Sequence, residues 1–272
     1  MHPILFSIGP IAISSFGFFS ALAFLLASFL IWKFAQEQLL YSQTPFEEET
    51  LFDSLFVFTL ATLFGARLIF VLSHFNEFGF NFLRWLLVRE INGFSFLAGF
   101  LIGGLLLLVF SLKKKLDFWS LFDIFSLGLF PALSLIFIGA FLDGVGAGAK
   151  TDFPWGVLFV GQESRRHPVQ LLAVVFFLIG FLILKKIRLL ALKKKLKNGV
   201  MTLFFLFFCG LALFLLEFFK EGEVYWNWFR KDQLLYLAIA LVSGFGFYQR
   251  LGRSLKKDVV TLIVRAKSRI HH

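Results

Sequence analysis

Cysteine occurs once in the 272 residues, at Cys209 inside an apolar run. That excludes an internal disulfide framework and a cysteine-based metal cluster. Histidine is nearly as sparse, with five residues, two of them the terminal His271-His272, and no ligand spacing among them. No metal and no cofactor is expected. Charge is scarce too: Asp, Glu, Lys and Arg make up 16% of the chain against 58% hydrophobic residues, more apolar surface than one globular core can hide. No internal repeat or low-complexity linker stands out, and no polar stretch is long enough for a soluble domain. A ring of like charges or a chain of mid-membrane acids is missing as well, so a channel or transporter finds no support.

What remains is a series of long uncharged runs. Those able to cross about 30 Å of hydrocarbon lie near 4–32, 51–73, 94–112, 117–141, 169–187, 199–219 and 232–249. They predict an all-α integral membrane protein of seven transmembrane helices, forming one polytopic domain over 1–272. The first run has no positive side chain before Lys33 and stays apolar well past Ala21-Leu-Ala23, so it reads as a retained helix rather than a cleaved signal.

Basic side chains resist translocation, so their distribution predicts orientation. With the amino terminus outside and the carboxyl terminus cytoplasmic, the inner pieces 33–50, 113–115, 185–197 and the basic tail 250–272 carry one, three, seven and seven Lys and Arg. These 18 face eight on the other side, with Arg67 inside a span. The net charge of +10 sits in short blocks beside helix ends, which fits anionic membrane lipids and not nucleic acid. Two outer segments stand out: an arm near 74–93, mixing aromatics with isolated polar groups as an interfacial helix or an anchored loop would, and the stretch 142–168.

A charge at the bilayer centre costs about 2.5–3.5 kcal/mol on insertion scales, so each ionisable group within a span needs a partner or a task. Arg67 falls roughly 9 Å from the outer end of the second span at 1.5 Å per residue. Asp143 and Glu217 end the fourth and sixth spans, whereas Asp123 lies near the cytoplasmic end of the fourth. The outer three could hold an anionic headgroup and abstract a proton, or could form a structural ion pair. Gly144, Gly146 and Gly148 in Asp143-Gly-Val-Gly-Ala-Gly148 offer backbone N–H groups for an anion nest, or serve only as turn formers. His167, after Arg165 and Arg166 and before Gln170, could cap a helix or meet lipid phosphate. Gly99-x-x-x-Gly103 reads as close helix packing.

The stretch Phe137-Ile-Gly-Ala-Phe-Leu-Asp-Gly-Val-Gly-Ala-Gly148, then Pro154-Trp-Gly156, then Arg166-His-Pro-Val-Gln170, resembles the bacterial prolipoprotein diacylglyceryl transferase family. So do Ile8-Gly-Pro10, Phe16-Gly17, Gly65-Ala-Arg-Leu68, Gly93-Phe-Ser-Phe96 and Glu217-Phe-Phe-Lys220, covering nearly the whole chain. The resemblance implies an enzyme of the bacterial inner membrane. It would move the diacylglyceryl group of phosphatidylglycerol onto the lipobox cysteine of a preprolipoprotein peptide, at the outer face. It implies catalytic roles for His167, Asp143 and Glu217, and substrate binding by Arg67, Gly139, Gly144, Gly148, Arg165, Arg166 and Gln170. The chain departs from the family pattern at reactive positions: Leu97 stands for a histidine, Phe137 and Leu213 for arginines, Ala140 and Asp143 for asparagines, Val145 for a glutamate and Phe16 for a tyrosine. Two readings follow, a divergent transferase with a rearranged site and a catalytically inactive lipid- or lipoprotein-binding relative.

Overall fold

The computed structural model describes residues 2–9, 11–39, 47–86, 95–194, 196–222 and 229–252. Within lipid every backbone polar group must find a partner in the chain, and helices do this locally. Among the described residues, six helices are long and apolar enough to cross a membrane: α1 (Ser15–Leu39), α2 (Glu48–Ser73), α5 (Phe96–Lys113), α6 (Phe118–Asp143), α7 (Val169–Lys194) and α8 (Val200–Glu217). A further long helix, α9 (Lys231–Arg250), has 20 residues but carries Gln233, Tyr236, Ser243 and Gln249 among its apolar ones. Short helices α3 (Phe75–Phe78) and α4 (Phe82–Leu86) lie in the segment 74–93 expected to form an outer arm; residues 87–93 of it, like 253–272 of the basic tail, fall outside the described residues.

The expected first span, 4–32, is corrected at its start. Strands β1 (Ile4–Ile8) and β2 (Ile11–Ser14) pair antiparallel, turning at Gly9 with φ +58°, and the helix begins only at Ser15. A two-stranded hairpin leaves open edges that hydrocarbon does not tolerate, so the span starts after it. The missed signal was Gly9-Pro10 between two short runs, Ile4-Leu-Phe-Ser-Ile8 and Ile11-Ala-Ile-Ser14. The hairpin is tied down by His2 N–H donating to the Leu142 carbonyl (3.1 Å) and Ser15 N–H to the Pro3 carbonyl (2.9 Å).

The chain divides into two compact units, residues 35–121 and residues 1–34 with 122–272. In the first, α2 and α5 pack backbone to backbone. A Cβ on Gly99 would lie 2.4 Å from the Thr62 carbonyl oxygen, and one on Gly103 would lie 2.1 Å from Thr62 Oγ1. Only glycine permits that approach, as the Gly-x-x-x-Gly spacing suggested. Phe58 and Phe100 close the pair edge to face at 5.7 Å.

In the second unit, α6 and α8 are the most enclosed of the long apolar helices, with 61% and 56% of their most apolar stretches buried against 28% for α7. Phe130 on α6 sits at the centre, its ring 4.7 Å from Phe205 and 5.8 Å from Phe208 on α8, and 6.3 Å from Phe177 on α7. Such aromatic pairs add about 0.5–1.5 kcal/mol each beyond area burial. Asp123 on α6 accepts from Gly199 N–H (2.6 Å), Thr202 N–H (2.7 Å) and Thr202 Oγ1 (2.5 Å), capping the start of α8 from a neighbouring helix. Free N–H groups and the positive helix end there favour a carboxylate. Arg188 on α7 donates to the Phe34 carbonyl (3.2 Å) and stacks over the Phe34 ring at 4.8 Å, which holds the end of α1.

Candidate functional site

The connection from α6 to α7 is ordered by a strip of backbone pairing. Gly148 N–H donates to the His167 carbonyl and His167 N–H to the Ala149 carbonyl, both at 3.0 Å, while Thr151 N–H donates to the Arg165 carbonyl at 3.0 Å. The short strands β3 (Val157–Leu158) and β4 (Arg165–Arg166) extend the pairing. On its other side the strip joins the end of α8, where Ala149 N–H meets the Phe219 carbonyl at 2.7 Å. A Cβ on Gly148 would lie 2.6 Å from both the His167 and the Phe219 carbonyl oxygens, so glycine is required where the three segments meet. Gly144 turns the chain out of α6 with φ +82°. Gly139 is placed differently, within α6 and against α1, where a Cβ would meet Phe19 Cβ at 2.8 Å.

Glu221 locks the strip. One carboxylate oxygen accepts Lys150 N–H (3.0 Å) and the other pairs with Arg166 (2.9 Å), whose guanidinium also reaches the Gly148 carbonyl (3.1 Å) and Gln162 (3.0 Å). The Lys150 N–H and the Arg166 guanidinium hold the Glu221 carboxyl below its ordinary pKa. The two adjacent arginines therefore diverge. Arg166 is engaged in the framework, while Arg165 is exposed and lines an open concavity of about 1010 Å³ with Lys150, Thr151, Asp152, Phe153, Ser164 and His167.

His167 is buried at the wall of that concavity, its ring edge-on to Phe219 at 5.3 Å and 6.0 Å from Phe153. Its Nδ1 is buried with no hydrogen-bond partner among the described residues. Leaving such an atom unmatched costs about 1–3 kcal/mol, which a ligand group or water placed there would offset. Gln170, in the first turn of α7, donates from Nε2 to the Val145 carbonyl (2.7 Å) and holds the turn after Asp143. The structure thus gathers Gly148, Arg165, Arg166, His167 and Gln170 into one construction, with half-buried Asp143 at its entry.

Glu217 is buried at the end of α8, paired with Arg230 and with Lys220 (2.5 Å). Arg230 also donates to the Glu221 carbonyl at 2.8 Å. Sequence reasoning missed both Arg230 and Glu221. The two carboxylates four residues apart on Glu217-Phe-Phe-Lys-Glu221 were a visible signal for a clamp, but not for its partners. Arg67 belongs to the other unit. There its Nε donates to the Trp85 carbonyl (2.8 Å) and its Nη2 to the Arg84 carbonyl (3.3 Å), beneath the rings of Phe78 and Phe70 at 5.2 and 5.8 Å. A cation at the end of α4 fits the negative end of a helix.

Helices of this length and apolarity define a multi-pass membrane protein, and one concavity in it is lined by a lysine, an aspartate, an arginine and a buried imidazole. A family model described as prolipoprotein diacylglyceryl transferase matches residues 3–249. The chain belongs to that family. It is 27% identical over 274 residues to the phosphatidylglycerol–prolipoprotein diacylglyceryl transferase of Brucella anthropi, covering 95% of this chain and 94% of the relative. The enzyme of the same description from Francisella tularensis subsp. holarctica is 26% identical over 250 residues, covering 89% and 91% of the two chains.

Proposed function

We propose that this protein transfers the diacylglyceryl group of phosphatidylglycerol to the lipobox cysteine of preprolipoproteins, in the bacterial inner membrane. The observation that carries the reading is the family match over 3–249, which includes every element of the site. The relatives' names supply the substrates. In this reading Lys150 and Arg165 face the phosphate oxygens of the lipid and His167 takes the thiol proton. The sulfur then bonds to the glyceryl carbon as its bond to the phosphate oxygen breaks, and glycerol phosphate leaves. A thiol with a pKa near 8.5 is mostly protonated at neutral pH, so a base at hand raises the reactive fraction. Asp143 acts at the entry to the turn, and Glu217, Gly148, Arg166 and Gln170 fix the strip that carries His167. Arg67 positions the outer arm. Gly139 and Gly144 set the course of α6 and its exit.

The same reading takes α1, α2, α5, α6, α7, α8 and α9 as seven spans of one polytopic domain, amino terminus outside, which the 18-to-eight division of basic residues supports. It puts the concavity at the outer face.

The test is transfer to a synthetic lipobox peptide from vesicles containing phosphatidylglycerol, with the thioether product and free glycerol phosphate followed by mass spectrometry. We expect turnover by the unaltered chain, and a loss of about 10²–10⁴-fold in His167→Gln, the usual range for a missing general base. Protein that retains phosphatidylglycerol yet yields no product would overturn the enzymatic reading and leave the binding-only one.

A further inference from the structure

Between its polar ends, the α6–α7 connection presents an apolar tip. Phe153, Trp155, Leu158 and Val160 are 54%, 56%, 59% and 66% exposed, although they belong to an ordered segment. The rings of Phe153 and Trp155 stack at 4.6 Å and 4°. Gly156 N–H closes a turn onto the Phe153 carbonyl (2.9 Å), and β3 is held by β4. Phe159, between two exposed neighbours, is buried and meets Phe141 of α6 edge to face at 6.0 Å. The tip is therefore pinned, and its exposed side chains did not simply fail to find a core. Polar groups are confined to its flanks: Lys150 and Asp152 before it, Gln162, Glu163 and Arg165 after it.

Exposed apolar surface of this kind marks a partner or a membrane. Both ends of the connection run directly into helices able to cross a bilayer, α6 ending at Asp143 and α7 starting at Val169. The exposed apolar side chains Leu171 and Val175 continue along α7. Stacked aromatics flanked by cations suit the zone where acyl chains give way to headgroups. We propose that the 153–160 tip is seated in the bilayer at the boundary between acyl chains and headgroups, so that lipid headgroups are delivered to the concavity lined by Lys150, Arg165 and His167. The delivery role rests on the proposed transfer reaction; the seating does not.

The experiment uses the full chain in vesicles of phosphatidylcholine, with and without phosphatidylglycerol. Nitroxides are attached one at a time to Phe153→Cys, Trp155→Cys, Leu158→Cys and Val160→Cys in a Cys209→Ser background, with Asp152→Cys and Glu163→Cys for comparison. We expect oxygen to reach the four tip labels and a water-soluble nickel complex to be excluded from them, in both vesicle types, while the two flanking labels stay open to nickel. Nickel access at all four tip positions would overturn the proposal. Protection that arises only when a lipobox peptide is added would overturn it too, making the tip a peptide surface. For delivery, Leu158→Ser with Val160→Ser should slow transfer from vesicle phosphatidylglycerol but not from a dispersed short-chain form. Equal slowing with both would overturn delivery. Should the unaltered chain transfer nothing, the transfer reading fails while the nitroxide result still decides the seating.

Discussion

Both oxygens of the buried Glu217 carboxylate are committed to cations, one to Lys220 and one to Arg230. Removing one partner from a buried pair leaves an uncompensated charge, whereas removing both groups can be nearly neutral. Arg230→Leu should therefore destabilise the protein by about 3 kcal/mol, and Arg230→Leu with Glu217→Leu should recover most of that loss. Unfolding of the unaltered chain, the two single variants and the double in one detergent gives the cycle; a double variant as unstable as Arg230→Leu would show that Arg230 matters through its bonds to the backbone carbonyls of Glu217 and Glu221. This pair also marks what single residues reveal in a sequence. His167 announced itself through its neighbours Arg165, Arg166 and Gln170. Arg230 did not, because its partner is 13 positions away in the sequence and basic residues beside helix ends have many uses. Arg67 was legible as a group needing a partner, but not that its partners would be the carbonyls of Arg84 and Trp85, since carbonyls leave no trace in residue identity.

At the scale of elements, the strip carrying His167 depends on Glu221, which lies 71 positions from Lys150 and 55 from Arg166. Because the folded protein lowers the pKa of Glu221, its contribution is fully present above the ordinary carboxylate range. It is lost as pH falls through the lowered value. The clamp should thus hold at neutral pH and loosen only in acid, whereas Glu221→Gln, which keeps the shape but not the charge, should loosen it at neutral pH. Amide hydrogen exchange at Ala149 and Lys150 reads this directly; neutral-pH protection in Glu221→Gln equal to that of the unaltered chain would refute the clamp. Helices were the legible elements, because a run of apolar residues in lipid has few ways to satisfy its backbone. The hairpin at Ile4–Ser14 was not, since Ile4-Leu-Phe-Ser-Ile8 is as apolar as the helix that follows it. The strip was hidden for another reason: its bonds are backbone bonds between short segments, and little beyond Gly148 and Gly156 records them in residue identity.

For the molecule as a whole, apolar composition established a multi-pass membrane protein, and motif spacing along the entire chain pointed to its family. The helix α9 is where composition alone gives the weakest answer, because Gln233 serves the start of the helix by accepting Arg230 N–H at 2.9 Å, and so lowers the helix's apolar character for a structural reason. At 20 residues and 1.5 Å per residue it is about 30 Å long, enough to span. Whether the concavity opens outside follows from the count of spans and their direction together. Seven spans with the amino terminus outside put Lys150 outside and Lys197, beyond the basic end of α7, in the cytoplasm. Single Lys150→Cys and Lys197→Cys variants in a Cys209→Ser background test this with a membrane-impermeant thiol reagent. We expect labelling of the first in intact cells and of the second only after permeabilisation. The reverse pattern would put the concavity on the cytoplasmic face, away from exported preproteins. Labelling of both in intact cells would mean that α7 does not cross the membrane at all.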